Sequence, residues 1–498
     1  MAIHRSEPQP LFAARPVGSA LAGDHLGAII AAARTAHCRS DASTGTARQF
    51  VVAIVPAHNE QGCIQACLTS LRRQSQPPDV MIVVADNCTD DTVVEATDAG
   101  ATVVETVNNR DRKAGALNYA LNRVLGHLGT DDGVLLMDAD SELTEHFLAV
   151  ATRRLQEHTN DAPIGGIGGI FVGDRHLADD GGRWSLVRQL QHNEYVRYAR
   201  HVARRSGRAL VLTGTGSLFR AGALTEVARA RQLGLLPDGG DSKSVYDTGS
   251  LTEDNELTLS LKRLGYRTIS PRECLVFTAM MPTVSQLFEQ RRRWQRGALE
   301  NLGSHGLRRH TGPYAVRQLG TYIGVLFLPL YAMTLTTALI RFGSVDWLQP
   351  LWVTVAVVYV GEQAWSVRRG GWRSVGLSLM VIPEFLLTVL LNLVYTVSLL
   401  GLLAGTGERW GRQVDERSVQ HLVGRGHHAD HDVEVLSGGH QHRQWWRVLL
   451  VPVVVVAAAG VVLLLPLVAL NTAWMAVAVF VLVGFVLTLL RLVPLPMT

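Results

Sequence analysis

Residues 134–140 read Val-Leu-Leu-Met-Asp-Ala-Asp, an apolar run that stops at two carboxylates one residue apart. A short run with no polar alternation predicts a strand buried on both faces, over residues 134–137. Three earlier runs have the same character, at 50–55, 80–85 and 101–107. Between them lie stretches with apolar residues at helical spacing: 62–73 (Ile64, Leu68, Leu71), 92–99 and 114–128. Strands alternating with helices of this length predict an α/β fold with a doubly wound, mostly parallel sheet. Ligands of such sheets bind at the carboxyl ends of the strands. The polar segments 56–60, 86–91 and 138–140 all fall there.

Outward from this block the chain changes character. Residues 160–250 are Gly-rich, with a helix expected near 184–205, followed by helices at 255–264 (Leu257, Leu261, Leu264 on one face) and 289–301. Charge is dense up to Arg317 and sparse afterwards; over all 498 residues it is 18%, against 47% hydrophobic. Soluble proteins usually carry about 25% charge, so a soluble half followed by a membrane half is expected. Runs at 321–340, 348–365, 448–470 and 473–490 approach the ~20 residues needed to span hydrocarbon. The longer run 375–404 is broken by Pro383 and Glu384 and is read as interfacial. Arg is concentrated at 308–317 and 367–373 and absent from 343–347, which by the positive-inside rule places the first half on the cytoplasmic side of a plasma membrane. The expected organisation is a flexible tail (1–48), a catalytic domain (49–317), membrane helices with an interfacial helix (318–404), a cytoplasmic loop (405–447) and a C-terminal membrane hairpin (448–498).

Lys plus Arg number 47 against 43 Asp plus Glu, with no aromatic-interleaved basic stripe, which argues against a nucleic-acid partner. Five cysteines without a CxxC pair indicate a reducing compartment, and Cys63 and Cys67 read as core thiols. No apolar segment follows the basic N-terminal residues as in a secretory signal. The histidines between 421 and 442 match no metal-site spacing and read as loop.

The chemistry-bearing residues each have a plainer alternative. Asp138 and Asp140 at a strand end suit Mg²⁺ or Mn²⁺ beside phosphate oxygens, or form a solvated turn. Asp86 suits a nucleobase or ribose, while Asp90 or Asp91 suits capping of the next helix. Lys113, just before a helix, suits a diphosphate or is simply solvated. Glu253 and Asp254 precede a helix, so either Asp254 is a general base or the pair complements the helix dipole. In Gln290-Arg-Arg-Arg293-Trp294, Arg293 suits the diphosphate, and Trp294 with Gln290 an acceptor sugar. The alternative is positive-inside anchoring with an interfacial Trp.

In this order the segments resemble the membrane-bound family 2 glycosyltransferases, with the cellulose, hyaluronan and poly-N-acetylglucosamine synthases as nearest kin, over about residues 51–412. Residues 56–60 (PAHNE, with Pro56 and Glu60) resemble the first strand-end donor motif, and Asp86 the uracil-contacting Asp. Residues 113–118 (KAGALN, with Lys113 and Gly115) resemble the diphosphate-side motif, and 138–140 the metal motif, in which Asp140 is the usual ligand. Thr213 and Gly214 resemble the acceptor loop, 252–254 (TED) the base motif, 290–294 the QxxRW motif, and 407–410 a Trp-bearing segment after the interfacial helices. The resemblance implies a GT-A fold, a UDP-sugar donor, Mg²⁺ or Mn²⁺, inversion at the anomeric carbon, a glycan or lipid-linked acceptor, and a bilayer. It departs from several relatives in having no transmembrane segment before the catalytic domain and in carrying residues 418–443. QxxRW favours polymerisation over a single addition to a lipid or polyprenyl carrier. A transporter is disfavoured because the spans hold few ionisable residues besides Glu362 and Glu384. An inactive sensor is disfavoured by the intact Asp138, Asp140, Asp254, Arg293 and Trp294.

Overall fold

The structure is a computed structural model and describes residues 24–44, 48–157, 162–174, 185–204, 207–237, 244–343 and 350–405. Helix α1 (Asp24–Thr44) comes first, then β1 (Val51–Ala57), α2 (Ile64–Arg72), β2 (Val80–Ala85), α3 (Thr92–Asp98) and β3 (Thr102–Glu105). Next are α4 (Arg112–Val124), β4 (Gly133–Leu136), β5 (Ser141–Leu143), α5 (Phe147–Gln156), β6 (Ile164–Gly168) and β7 (Ile170–Asp174). Then follow α6 (Leu186–Arg204), β8 (Ser217–Arg220), α7 (Ala221–Gln232), α8 (Glu253–Arg263), β9 (Arg267–Ile269) and β10 (Leu275–Ala279). The remaining helices are α9 (Val284–His305), α10 (Gly312–Phe342), α11 (Pro350–Val367), α12 (Trp372–Leu379) and α13 (Ile382–Leu403).

Seven strands form the main sheet in the order β3-β2-β1-β4-β8-β6-β9. Only β8 runs against its neighbours; the pairings β1–β2, β2–β3, β1–β4 and β6–β9 are parallel. The α/β, mostly parallel architecture expected from the sequence is therefore present. Strand β1 shows why its run has no polar alternation: Val52 and Ile54 enter one core, Val51, Ala53 and Val55 the other. All five are at most 3% exposed, and each Val or Ile burial contributes roughly 1.5–3 kcal/mol. A second sheet, β5-β10-β7, was not foreseen from the sequence. Its β5 begins directly after Asp140 and pairs antiparallel with β10, so the two carboxylates sit where the chain leaves one sheet for the other.

Residues 24–44 correct the expectation of a flexible tail. Leu26 and Ile30, one helical turn apart, are 2% and 1% exposed in the core that also contains Leu121 and Val124. At the helix end the ring of His37 lies 2.9 Å from Asp79 and 3.1 Å from the Arg48 carbonyl. Asp79 in turn accepts from the Val51 amide at 2.8 Å, tying α1 to the start of the central strand.

The chain divides into two compact units, residues 1–284 with 362–380, and residues 285–361 with 381–498. Within the first unit, α12 is joined to α6 by polar contacts. Gln189 donates to the Ser374 hydroxyl at 3.0 Å, Asn193 to the Ser374 carbonyl at 3.4 Å, and Arg197 to Ser366 at 3.1 Å. Ser374, Leu377 and Ser378 of α12 are buried, whereas Trp372 is 80% exposed and Leu379 55%. The helix thus turns two serines inward beside Leu377, while Trp372 and Leu379 face outward.

Within the second unit, Gln295 of α9 donates to Gln318 and Tyr322 of α10, both at 3.0 Å, and Tyr322 donates to the Tyr395 carbonyl of α13 at 3.3 Å. The run 375–404 is two helices, not one. It breaks at Val381, whose φ of +60° is costly for a β-branched residue, and Pro383 then occupies the first turn of α13, where its missing N–H costs nothing. Among the described residues one helix is long and apolar enough to cross a membrane, and it is α13, within the stretch expected to be interfacial. The runs 321–340 and 348–365 fall within or beside α10 and α11. The two C-terminal runs, the 405–447 loop with its histidines, and residues 407–410 lie outside the described residues.

Candidate active site

The loops leaving β1, β2 and β3 each contain an asparagine in the left-handed region: Asn59 (φ 56°), Asn87 (φ 50°) and Asn108 (φ 51°). Asparagine tolerates that conformation better than most residues, and here two of its side chains also link the loops. Asn59 accepts from the Thr89 amide at 2.8 Å, and Asn87 donates to the Asn109 carbonyl and to Asp86, both at 3.1 Å. Asp86 is 7% exposed and accepts from Thr106 at 2.6 Å. The capping alternative belongs to Asp90, which accepts from the Thr92 amide at 3.1 Å; Asp91 makes no side-chain cap.

The loop after β3 fits against the start of α4 with no spare volume. A Cβ on Gly115 would lie 2.1 Å from Asn109 Oδ1 and 2.8 Å from Asp111 Cβ. Gly115→Ala is therefore expected to lower stability by about 1–3 kcal/mol. Gly126→Ala, where an added Cβ meets nothing within 4 Å, is the control that should stay near neutral in the same denaturation experiment.

Four acidic side chains converge on Lys113. Its ammonium forms an ion pair with Asp138 and lies 3.4 Å from Glu253. The chain-distant strand-end and helix-start acids thus share one cation. Burial opposes the charge on Lys113, but Asp138 and then Glu253 outweigh it and hold the ammonium protonated. Asp254 is fixed by two amides, accepting from Gly214 at 2.9 Å and from Asn255 at 2.8 Å. Desolvation first, and then the charge of Glu253, push its carboxyl up to about 6 despite those bonds and Lys113. Asp140 is likewise raised to about 6, by burial and then by Asp138. Pro56, Lys113, Thr213, Gly214, Glu253 and Asp254 line one cleft.

The chain has relatives among known proteins. The profile of the glycosyltransferase like family 2 matches residues 47–297, just over half of the chain. The chain belongs to this family. It is 26% identical over 306 residues to an N-acetylglucosaminyltransferase of Rhizobium meliloti (strain 1021), covering 59% of this chain and 66% of the relative, just under two thirds of its length. Among solved structures, the mannosyltransferase PcManGT of Pyrobaculum calidifontis, in complex with GDP-Man and Mn²⁺, is 20% identical, covering 71% of this chain and 99% of that one, at a TM-score of 0.45. Glucosyl-3-phosphoglycerate synthase of Mycobacterium tuberculosis, with Mg²⁺ and uridine-diphosphate, is 20% identical over 59% of this chain and 88% of that one, at a TM-score of 0.32.

Family membership gives the cleft its reference points. The matched stretch contains the strand-end loops, the Asp138–Asp140 pair and the Glu253–Asp254 pair. Asp86 stands outside the cleft lining, at the end of β2; with β1 between β2 and β4, it is two strand spacings, roughly 10 Å, from the end of β4. The Glu60 amide donates to Thr92 at 2.8 Å, anchoring the first loop to α3. Cys67 is a core thiol, 1% exposed, with its sulfur 3.6 Å from the Asp138 carbonyl. Gln290, Arg293 and Trp294 lie on α9 in the second unit. There Arg291 donates to Gln290 at 2.7 Å and stacks 4.3 Å from the Trp294 ring.

Among the described residues no group of three His, Cys, Asp or Glu forms a ready-made cation cage. Asp138 and Asp140 still fit a hard cation, because they are two oxygen donors one residue apart, and burial first and then Asp138 hold Asp140 high.

Two features escaped the sequence reading. Tyr246 lines the cleft, and its backbone is clamped by Asn118, which donates to its carbonyl and accepts from its amide, both at 2.9 Å. The fully buried Arg231–Glu256 ion pair braces the first turn of α8, and Arg231 also donates to the Val245 carbonyl at 3.2 Å. The one available signal was Asn118 itself, a polar residue on the inward face of a helix.

Proposed function

We propose that the chain transfers a sugar from a UDP-sugar to a hydroxyl acceptor at a membrane surface, with inversion, and extends a polysaccharide. The observation that supports this reading is the Lys113 ammonium, which pairs with Asp138 and lies 3.4 Å from Glu253, so that the strand-end and helix-start acids share one cation. In the transfer step the acceptor oxygen bonds to the anomeric carbon as the carbon–oxygen bond to UDP breaks, and the acceptor proton passes to Asp254. UDP leaves with the bonding pair. Gly214 and Asn255 hold the Asp254 carboxylate toward the cleft. Asp140, with Asp138, would hold Mg²⁺ or Mn²⁺, which supplies positive charge to the departing diphosphate. Asp86 takes the nucleobase, and Gln290, Arg293 and Trp294 of α9 serve the diphosphate and acceptor.

The membrane part of the reading is supported by α13 and by the outward Trp372 and Leu379 of α12. The Arg residues at 308–317 and 367–373 favour the cytoplasmic face of the plasma membrane. The test is incubation of the purified full chain with labelled UDP-sugars and Mn²⁺. A size ladder of products supports polymerisation; a single product of fixed size replaces it with one addition to a carrier. No UDP release on any donor removes the enzyme reading.

A base works ionised, so the Asp254 assignment predicts a pH profile. With its carboxyl near 6, kcat/KM is present above that pH and falls with a one-proton slope as pH drops through it. Glu253→Gln removes a named upward influence and should move the acid limb to lower pH. An unmoved limb assigns the titration to another group.

A further inference from the structure

The Tyr246 side chain lines the same cleft as Lys113, Glu253 and Asp254, with Leu117, Leu136 and Phe219 around it. The residue is only 4% exposed. Among the described residues its hydroxyl has no hydrogen-bond partner, and it is not sealed in the core but keeps access to the cleft. The main chain on which the ring is mounted is fixed on both sides. Asn118 clamps the amide and carbonyl of Tyr246 at 2.9 Å each, and Arg231 holds the preceding carbonyl at 3.2 Å. Such an anchored donor facing a cleft is built for a ligand atom.

The neighbouring charges restrict which atom that is. Glu253, Asp254 and Asp138 all act on the phenol, and burial with their negative charge keeps it protonated and donating. Phosphate oxygens would be repelled by those carboxylates, and Lys113 is already engaged by two of them. A neutral group that accepts from the phenol while donating to a carboxylate satisfies both sides, and a sugar hydroxyl has that chemistry.

We propose that the Tyr246 hydroxyl hydrogen-bonds a hydroxyl of the sugar being transferred, which makes Tyr246 a determinant of donor-sugar choice. The proposal rests on the glycosyltransferase reading above and extends it to one atom of the cleft.

The test is Tyr246→Phe in the full chain, which keeps the ring and removes only the oxygen. The probes are UDP alone and a panel of UDP-glucose, UDP-galactose, UDP-N-acetylglucosamine and UDP-N-acetylgalactosamine. Binding of the sugar nucleotide that the wild type prefers should weaken about tenfold. UDP affinity and the thermal midpoint should not change, and the preference between the paired epimers should narrow. Wild-type donor affinity and epimer preference in Tyr246→Phe would overturn the proposal, as would an equal loss of UDP affinity, which would assign the hydroxyl to the nucleotide. A wild type that binds and turns over none of the four donors fails the parent reading instead, before the variant is compared.

Discussion

Asp254→Asn is expected to reduce turnover by about a thousandfold while UDP affinity stays within about twofold. A positioned general base contributes roughly 10²–10⁴-fold, and the amide keeps the shape of the carboxylate while losing its proton affinity. The variant also has a structural signature. The two carboxylate oxygens accept from Gly214 and Asn255 separately, and an amide has only one accepting oxygen. One backbone N–H is left without its partner, which costs on the order of 1 kcal/mol and lowers the thermal midpoint slightly. UDP release, calorimetric UDP binding and a melting curve together check the claim. Wild-type turnover in this variant would remove Asp254 from the base role.

Asp140→Ala is expected to abolish the part of UDP affinity that depends on Mn²⁺ and to reduce turnover by about a hundredfold or more. Changes one step removed from a metal already cost 10–100-fold. The cleft makes the effect large because Asp138 is already paired with Lys113. Without Asp140, the carboxylate that remains is neutralised by the protein itself and offers little to a divalent cation. UDP titrations with Mn²⁺ and with chelator are the measurement, and an affinity in Mn²⁺ equal to that of the wild type would refute the ligand role.

Much of this site was legible because its parts announce themselves locally. Residues 134–140 show a buried strand running into acids, and 113–118 and 252–254 each stand at a helix start. What a local reading does not show is that Lys113 joins them, since Lys113, Asp138 and Glu253 become neighbours only in the folded chain. Tyr246 was hidden for the same reason: its anchor, Asn118, is far away in the chain. The β5-β10-β7 sheet escaped because strands of three to five residues have too little length to show a period, and pairing across distant segments creates them. From sequence this region admits only a short surface helix in a tail; the burial of α1 was missed because Leu26 and Ile30 are set among alanines that resemble low complexity. The break in 375–404 was legible from Pro383 and Glu384; only its placement at Val381, set by one backbone angle, was not.

The joining of α6 to residues 366–378 has a consequence for how this enzyme can be cut or recombined. The family match ends at residue 297, and a truncation there would look natural from sequence alone. It would strip Gln189, Asn193 and Arg197 of their contacts to Ser374 and Ser366. The first unit is therefore not separable by a scission at residue 297. Exchanging the helices of the second unit between two such chains, or expressing the first unit alone, requires carrying the 362–380 segment along with it.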